Sequence, residues 1–89
     1  MPDEFEWDDD NEGHIARHGV SPDEVEEVFY NDPLTAPAYN QGAERRYAKI
    51  GVTDAGRLLC VVFTHRKGRI RIVTAVEANP AETRRYRDR

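Results

Sequence analysis

Residues 56–75 read GRLLCVVFTHRKGRIRIVTA, two apolar runs separated by Lys67-Gly68, with arginines set into an otherwise hydrophobic stretch. Leu58 to Phe63 and Ile70 to Val73 are rich in β-branched and large apolar side chains. Gly68 supplies the positive φ that a two-residue hairpin loop requires, so the stretch predicts an antiparallel pair. With Lys67 and Gly68 as the loop, Arg66 faces Arg69, Thr64 faces Arg71 and Val62 faces Val73. These six share one side of the sheet, and His65, Phe63, Ile70 and Ile72 share the other. One end of one face is then cationic. Like charges directly opposed destabilise a sheet, so Arg66 beside Arg69 calls for water or for an anion.

Working outward, Arg46 to Val52 reads as a strand that turns at Asp54-Ala55-Gly56 into the hairpin, and a further strand is placed around Leu34 to Tyr39. Ser21-Pro22-Asp23-Glu24 carries a cap, a proline at the first helical position and the glutamate of a capping box. It predicts a helix from Pro22 to about Tyr30, with Val20 and Val25 as its hydrophobic staple. Asp8 to His18 reads as a shorter helix, capped by Asp8 or Asp9 and closed by Gly19, with Phe5 and Trp7 before it assigned to the core. Pro80, capped by Asn79, opens a last helix running to Arg87. The expected fold class is α+β: two N-terminal helices, a three- to four-stranded antiparallel sheet and a short C-terminal helix, in a single domain over residues 1–89.

A chain of 89 residues has room for one modest core, burying roughly 60 to 65% of its unfolded surface. Cys60 is the sole cysteine, which excludes an internal disulfide, suits a reducing compartment and reads as packing. The start of the chain has no signal-peptide pattern, and no apolar run approaches the roughly 18 residues of a membrane span, so a cytoplasmic location without membrane contact is expected. The net charge of −4 is divided: residues 1–34 hold twelve Asp/Glu against Arg17, and residues 35–89 hold five against twelve Lys/Arg. A basic half suits a phosphate-rich ligand, with the acidic half pointing elsewhere; the alternative is that the two halves neutralise each other.

His14 and His18 stand one helical turn apart, with Asp10 one turn earlier, a spacing that would suit two or three metal ligands. The alternative places His18 at the negative end of its helix. No phosphate-binding glycine loop, nucleophile elbow, CxxC pair or dinucleotide fingerprint is present, and no cofactor is expected. Metal-free RNA cleavage needs a base for the 2′-hydroxyl, an acid for the departing 5′-oxygen and cations for the charge developing on phosphorus. Arg57, Arg66 and Arg71 are the cationic candidates. Glu44, His18, His65 and Tyr86 are the candidates for moving protons.

Phe5-Glu6-Trp7-Asp8, Arg17-His18-Gly19-Val20-Ser21, Val28-Phe29 with Asp32-Pro33, and Gly56-Arg57 with Leu59, Thr64 and Arg66 form an ordered series. Ile70-Arg71-Ile72-Val73-Thr74-Ala75 and the Glu82, Tyr86 pair continue it. Together they resemble the BrnT toxins of bacterial type II toxin–antitoxin systems over nearly the whole chain. The resemblance implies a RelE-like fold and a metal-independent endoribonuclease that cuts single-stranded mRNA and is neutralised by a BrnA-like antitoxin. Either a homodimer or a hetero-oligomer with the antitoxin fits it. Arg57, Arg66 and Arg71 match the family's sheet cations and His18 its KHG histidine. Val76 stands where the family usually carries arginine, Glu44 lies one place early, His65 replaces a frequent acidic residue, and His14 stands where asparagine is common. A second reading follows from Val76: a family member acting as a binding module for an antitoxin or another partner, without cleavage.

Overall fold

The structure, a computed structural model, describes residues 4–38, 40 and 42–89. Its elements run β1 (Phe5–Glu6), α1 (Asp9–Ala16), α2 (Pro22–Tyr30), β2 (Leu34–Pro37), β3 (Arg46–Val52), β4 (Leu58–Arg66), β5 (Arg69–Glu77) and α3 (Pro80–Arg87). They build an α+β fold on one sheet of order β1-β5-β4-β3-β2. The expected three- to four-stranded antiparallel sheet is corrected to five strands, because β1 adds to the edge in parallel, pairing Phe5 with Ile70 and Glu6 with Arg71. Two residues are too few for alternation to announce a strand. The carbonyl of Glu4 accepts the Ile70 amide at 2.8 Å and extends the pairing by one bond. The strand around Leu34 ends at Pro37; Tyr39, included in the expectation, lies outside the described residues.

Local chemistry explains the helices. Ser21 accepts the Glu24 amide and Glu24 accepts the Ser21 amide, a closed capping box with Pro22 at the start. The staple residues Val20 and Val25 are both buried. α1 is capped by Asp8, whose side chain and that of Asn11 exchange backbone bonds. It is shorter than expected and ends at Ala16, because Gly19, at φ +71°, closes it while Val20 bonds back to the carbonyl of Ile15. His18 therefore stands beyond the helix.

The hairpin turns at Lys67-Gly68 with Arg66 opposite Arg69 and Thr64 opposite Arg71. One pairing is corrected. Val62 faces Thr74, because β5 bulges at Val73 between Ile72, paired with Phe63, and Thr74. The extra residue resets the alternation, so Ala75 joins Ile70 and Ile72 on the inner face instead of turning outward. That face, with Leu59, Val61 and Phe63 of β4, packs against Ile15, Val25 and Val28 of the two helices and Val20 between them. Phe29 meets Phe5 and Phe63 edge-on, each at 5.1 Å between ring centroids. On the opposite face a smaller cluster of Ala36, Ala48, Ile50 and Cys60 is closed by Val76, Ala78 and Tyr86, which brings α3 over one end of the sheet. Among the described residues no helix is long and apolar enough to cross a membrane.

The expectation that the acidic half points away from the basic half is corrected. Glu4 pairs with Arg69, Glu6 with Arg66 and Arg71, Asp8 with Arg71, Glu24 with Arg57 and Asp32 with Arg89. The N-terminal carboxylates are the counter-ions of the sheet.

Candidate active site

Strand register draws a row across the sheet: Arg46 of β3 is opposite Thr64 of β4, Thr64 opposite Arg71 of β5, and Arg71 opposite Glu6 of β1. The row lies on the same face as Cys60 and Ile50, since side chains alternate along each strand. It floors a cleft of about 230 Å³. Asp10, Asn11 and His14 of α1 form one wall, Glu44 stands beside Arg46, and Ile72 and Val73 complete the lining.

The two arginines and Thr64 are each held. Arg71 donates through Nη1 to Glu6 Oε1 at 2.8 Å and to Asp8 Oδ2 at 2.9 Å. The bond to Asp8, opposed by partial burial and reinforced by Glu6, raises the guanidinium above its ordinary value. The same bond, helped by the Asn11 amide, holds the Asp8 carboxyl below the usual carboxylate range. Arg46 Nε donates to Glu44 Oε1 at 2.9 Å. Thr64, buried, donates its hydroxyl to the carbonyl of Arg45 at 2.7 Å.

Asn11 fixes the wall to the floor. Its amide nitrogen donates to the carbonyls of Glu6 at 2.8 Å and Ile72 at 3.2 Å, reaching the backbones of both β1 and β5. One turn later His14 Nε2 lies 3.1 Å from Thr74 Oγ1, and its ring meets that of His18 edge-on at 5.5 Å. Two guanidinium groups, an imidazole and two carboxylates, those of Glu44 and Asp10, thus surround one concavity. Such a set can hold a phosphodiester, stabilise charge on phosphorus and move protons at its oxygens.

Of the residues singled out from sequence, Arg71 and Glu44 line the cleft. Arg66 stands at the end of β4, half exposed, 3.4 Å from Glu6. His18 touches His14 but does not line the cleft. His65 projects from the other face, where it meets Tyr47 and Phe63. Tyr86 packs under α3 with the Arg89 guanidinium 4.0 Å from its ring centre.

Arg57 lies at the far end of β4, about 23 Å from Thr64 along the strand at ~3.3 Å per residue. It donates to the Gly19 carbonyl at 2.7 Å, to Glu24 at 3.1 Å and to Glu77 at 3.4 Å. The three arginines grouped by sequence are therefore split between two ends of the sheet. Arg46, Asn11 and the cleft position of His14 and Asp10 escaped sequence reasoning, which placed Thr64 opposite Arg71 but gave it no role. The available signal was Arg46 itself, four residues before Ile50 on a strand whose even positions share one face. Among the described residues no three His, Cys, Asp or Glu side chains converge as metal ligands would, so His14 and His18 stand as a pair. Val76 packs apolar against the cluster around Cys60.

The family described as "Ribonuclease toxin, BrnT, of type II toxin-antitoxin system" matches residues 7–82. No curated protein matches the chain.

Proposed function

The chain belongs to the BrnT family of ribonuclease toxins of type II toxin–antitoxin systems, and on that premise we propose that it cleaves single-stranded mRNA in the cytoplasm without metal, in the cleft between α1 and the Arg46–Thr64–Arg71 row. Family membership carries an antitoxin partner with it; the antitoxin assigned is BrnA-like. The observation that carries the reading is the convergence of Arg46, Arg71, His14 and Glu44 on one concavity.

In the proposed reaction the 2′-oxygen bonds to phosphorus as the bond from phosphorus to the 5′-oxygen breaks, leaving a 2′,3′-cyclic phosphate and a free 5′-hydroxyl. Glu44 takes the proton from the 2′-hydroxyl and His14, protonated, gives one to the departing 5′-oxygen. Arg46 and Arg71 face the charge that grows on the phosphoryl oxygens. The planar, permanently charged guanidinium suits two-point contact with phosphate, which a lysine would not reproduce.

The test is incubation of antitoxin-free protein with a defined single-stranded RNA in EDTA, reading 2′,3′-cyclic ends, beside an Arg46→Ala/Arg71→Ala variant shown to be folded. Cyclic ends made by the wild type and lost in the variant support the reading. Cleavage that survives in the variant refutes the assigned cleft. No cleavage by a folded wild type that still binds its antitoxin would favour the binding-module reading, which the apolar packing of Val76 supports.

A further inference from the structure

The arginines of the sheet are already balanced: Arg46, Arg57, Arg66, Arg69 and Arg71 each meet a carboxylate. The arginines of α3 differ. Arg84, Arg85 and Arg87 are exposed, and among the described residues none of them is hydrogen-bonded or ion-paired through its side chain to a carboxylate. Arg84 and Arg87 flank a shallow hollow on α3 with Pro80 and Thr83, and among the described residues Asp88 is the one carboxylate lining it. Arg17, Arg45 and Lys67 are exposed singly at scattered positions, whereas α3 gathers three such arginines on one helix of a chain of net charge −4.

α3 also lies on the same side of the sheet as the cleft. Tyr86 and Ala78 cover Ile50 and Cys60, and the cleft is floored by Arg46 and Thr64, each four residues away on the same strand and so on the same face. Four strand residues separate the two by roughly 13 Å. A polyanion lying in the cleft and running along β4 toward Cys60 arrives at α3.

We infer that the exposed arginines of α3 form a second docking surface, for the phosphodiester backbone of the RNA strand on one side of the cleft. The inference rests on the ribonuclease reading for the identity of the strand. Arg84, Arg85 and Arg87 give affinity through phosphate contacts without choosing bases, and the cleft performs the chemistry. The carboxylate of Asp88 opposes binding on its own edge of the hollow.

The experiment uses the full chain and 2′-O-methyl RNA, which lacks the attacking hydroxyl and reports binding alone. A short oligonucleotide spanning the cleft and a longer one reaching α3 are titrated at several salt concentrations, for the wild type and for Arg84→Gln/Arg85→Gln/Arg87→Gln. The longer RNA is expected to lose about two units of slope in log affinity against log salt, at ~0.7 per single-strand phosphate contact. The short RNA is expected to bind both proteins alike. Replacement by lysine at the three positions restores the slope, because point charges suffice for such contacts.

An unchanged slope for the longer RNA overturns the inference. So does a loss confined to binding of an acidic antitoxin segment, which would make α3 a protein-docking surface. If the wild type fails to cleave unmodified RNA while the slope difference holds, the ribonuclease reading falls and the phosphate surface stands.

Discussion

Replacing Asn11 by alanine tests how the cleft wall is attached. Asn11 is 4% exposed. It gives two hydrogen bonds, to the carbonyls of Glu6 and Ile72, and accepts one from the Asp8 amide at 2.9 Å. Truncation removes all three hydrogen bonds where water has little access. At about 1 kcal/mol net for each bond the loss is roughly 3 kcal/mol, against a total of roughly 4 to 13 kcal/mol for a chain of this length. For a domain of this size that lowers Tm by roughly 12 to 24 °C, read by far-UV circular dichroism together with urea unfolding.

Asn11→Asp sharpens the test. The carboxylate keeps the shape and can still accept the Asp8 amide, but it points negative charge at two carbonyl oxygens. The folded protein then favours the protonated acid, so the folded pKa lies above the unfolded one and the native state binds more protons. The variant's deficit against wild type is therefore smallest at about pH 4 and grows toward about pH 7. A loss below about 1 kcal/mol for Asn11→Ala, or a deficit for Asn11→Asp that shrinks as pH rises, would refute the attachment argument.

Three other outcomes are expected. A Cβ at Gly51 would stand 2.9 Å from Pro33 Cβ and 3.2 Å from Val28 Cγ1, so Gly51→Ala destabilises by about 1 to 3 kcal/mol through overpacking, measured as the urea midpoint. The Asp8 carboxyl, held low chiefly by Arg71, contributes stability present above its unfolded pKa and lost as pH falls through the lower folded one. Asp8→Asn keeps the cap but removes the titration, so urea midpoints taken below about pH 4 fall less steeply than in the wild type. Burial, with Glu82 beside it, pushes the Cys60 thiol up to about 12; an aromatic disulfide reagent at mild alkaline pH should leave it untouched in the native protein and titrate it in urea.

The helices and the hairpin were legible because their signals are local. The Ser21 capping box, the Val20–Val25 staple, Pro80 after Asn79 and the Lys67-Gly68 turn each depend on residues a few positions apart. The cleft was not legible for the opposite reason. Arg46, Thr64 and Arg71 form a row only after three strands have paired, and the bulge at Val73, invisible in a β-branched run, decides which side chains follow. Arg57 looked like a companion of Arg66 and Arg71 because it borders the same strand, but sequence does not say which end of a strand an arginine serves. The opposed arginines did call for an anion, as the like-charge argument required, and carboxylates from β1 and its flanks supply it.

The brevity of β1 has a consequence for the order of events during synthesis. Phe5 pairs with Ile70 and Glu6 with Arg71, so synthesis must pass β5 before the first strand finds its place. Closing so long a segment costs entropy before any contact returns it, and contacts distant in sequence slow folding. Chains emerge N-terminus first, so Glu6 and Asp8 wait, unpaired, for Arg71. Asn11 likewise waits for the carbonyl of Ile72. A growing or truncated chain that stops short of β5 therefore has no cleft, and the catalytic geometry proposed for this protein exists only once β5 has been made and has paired.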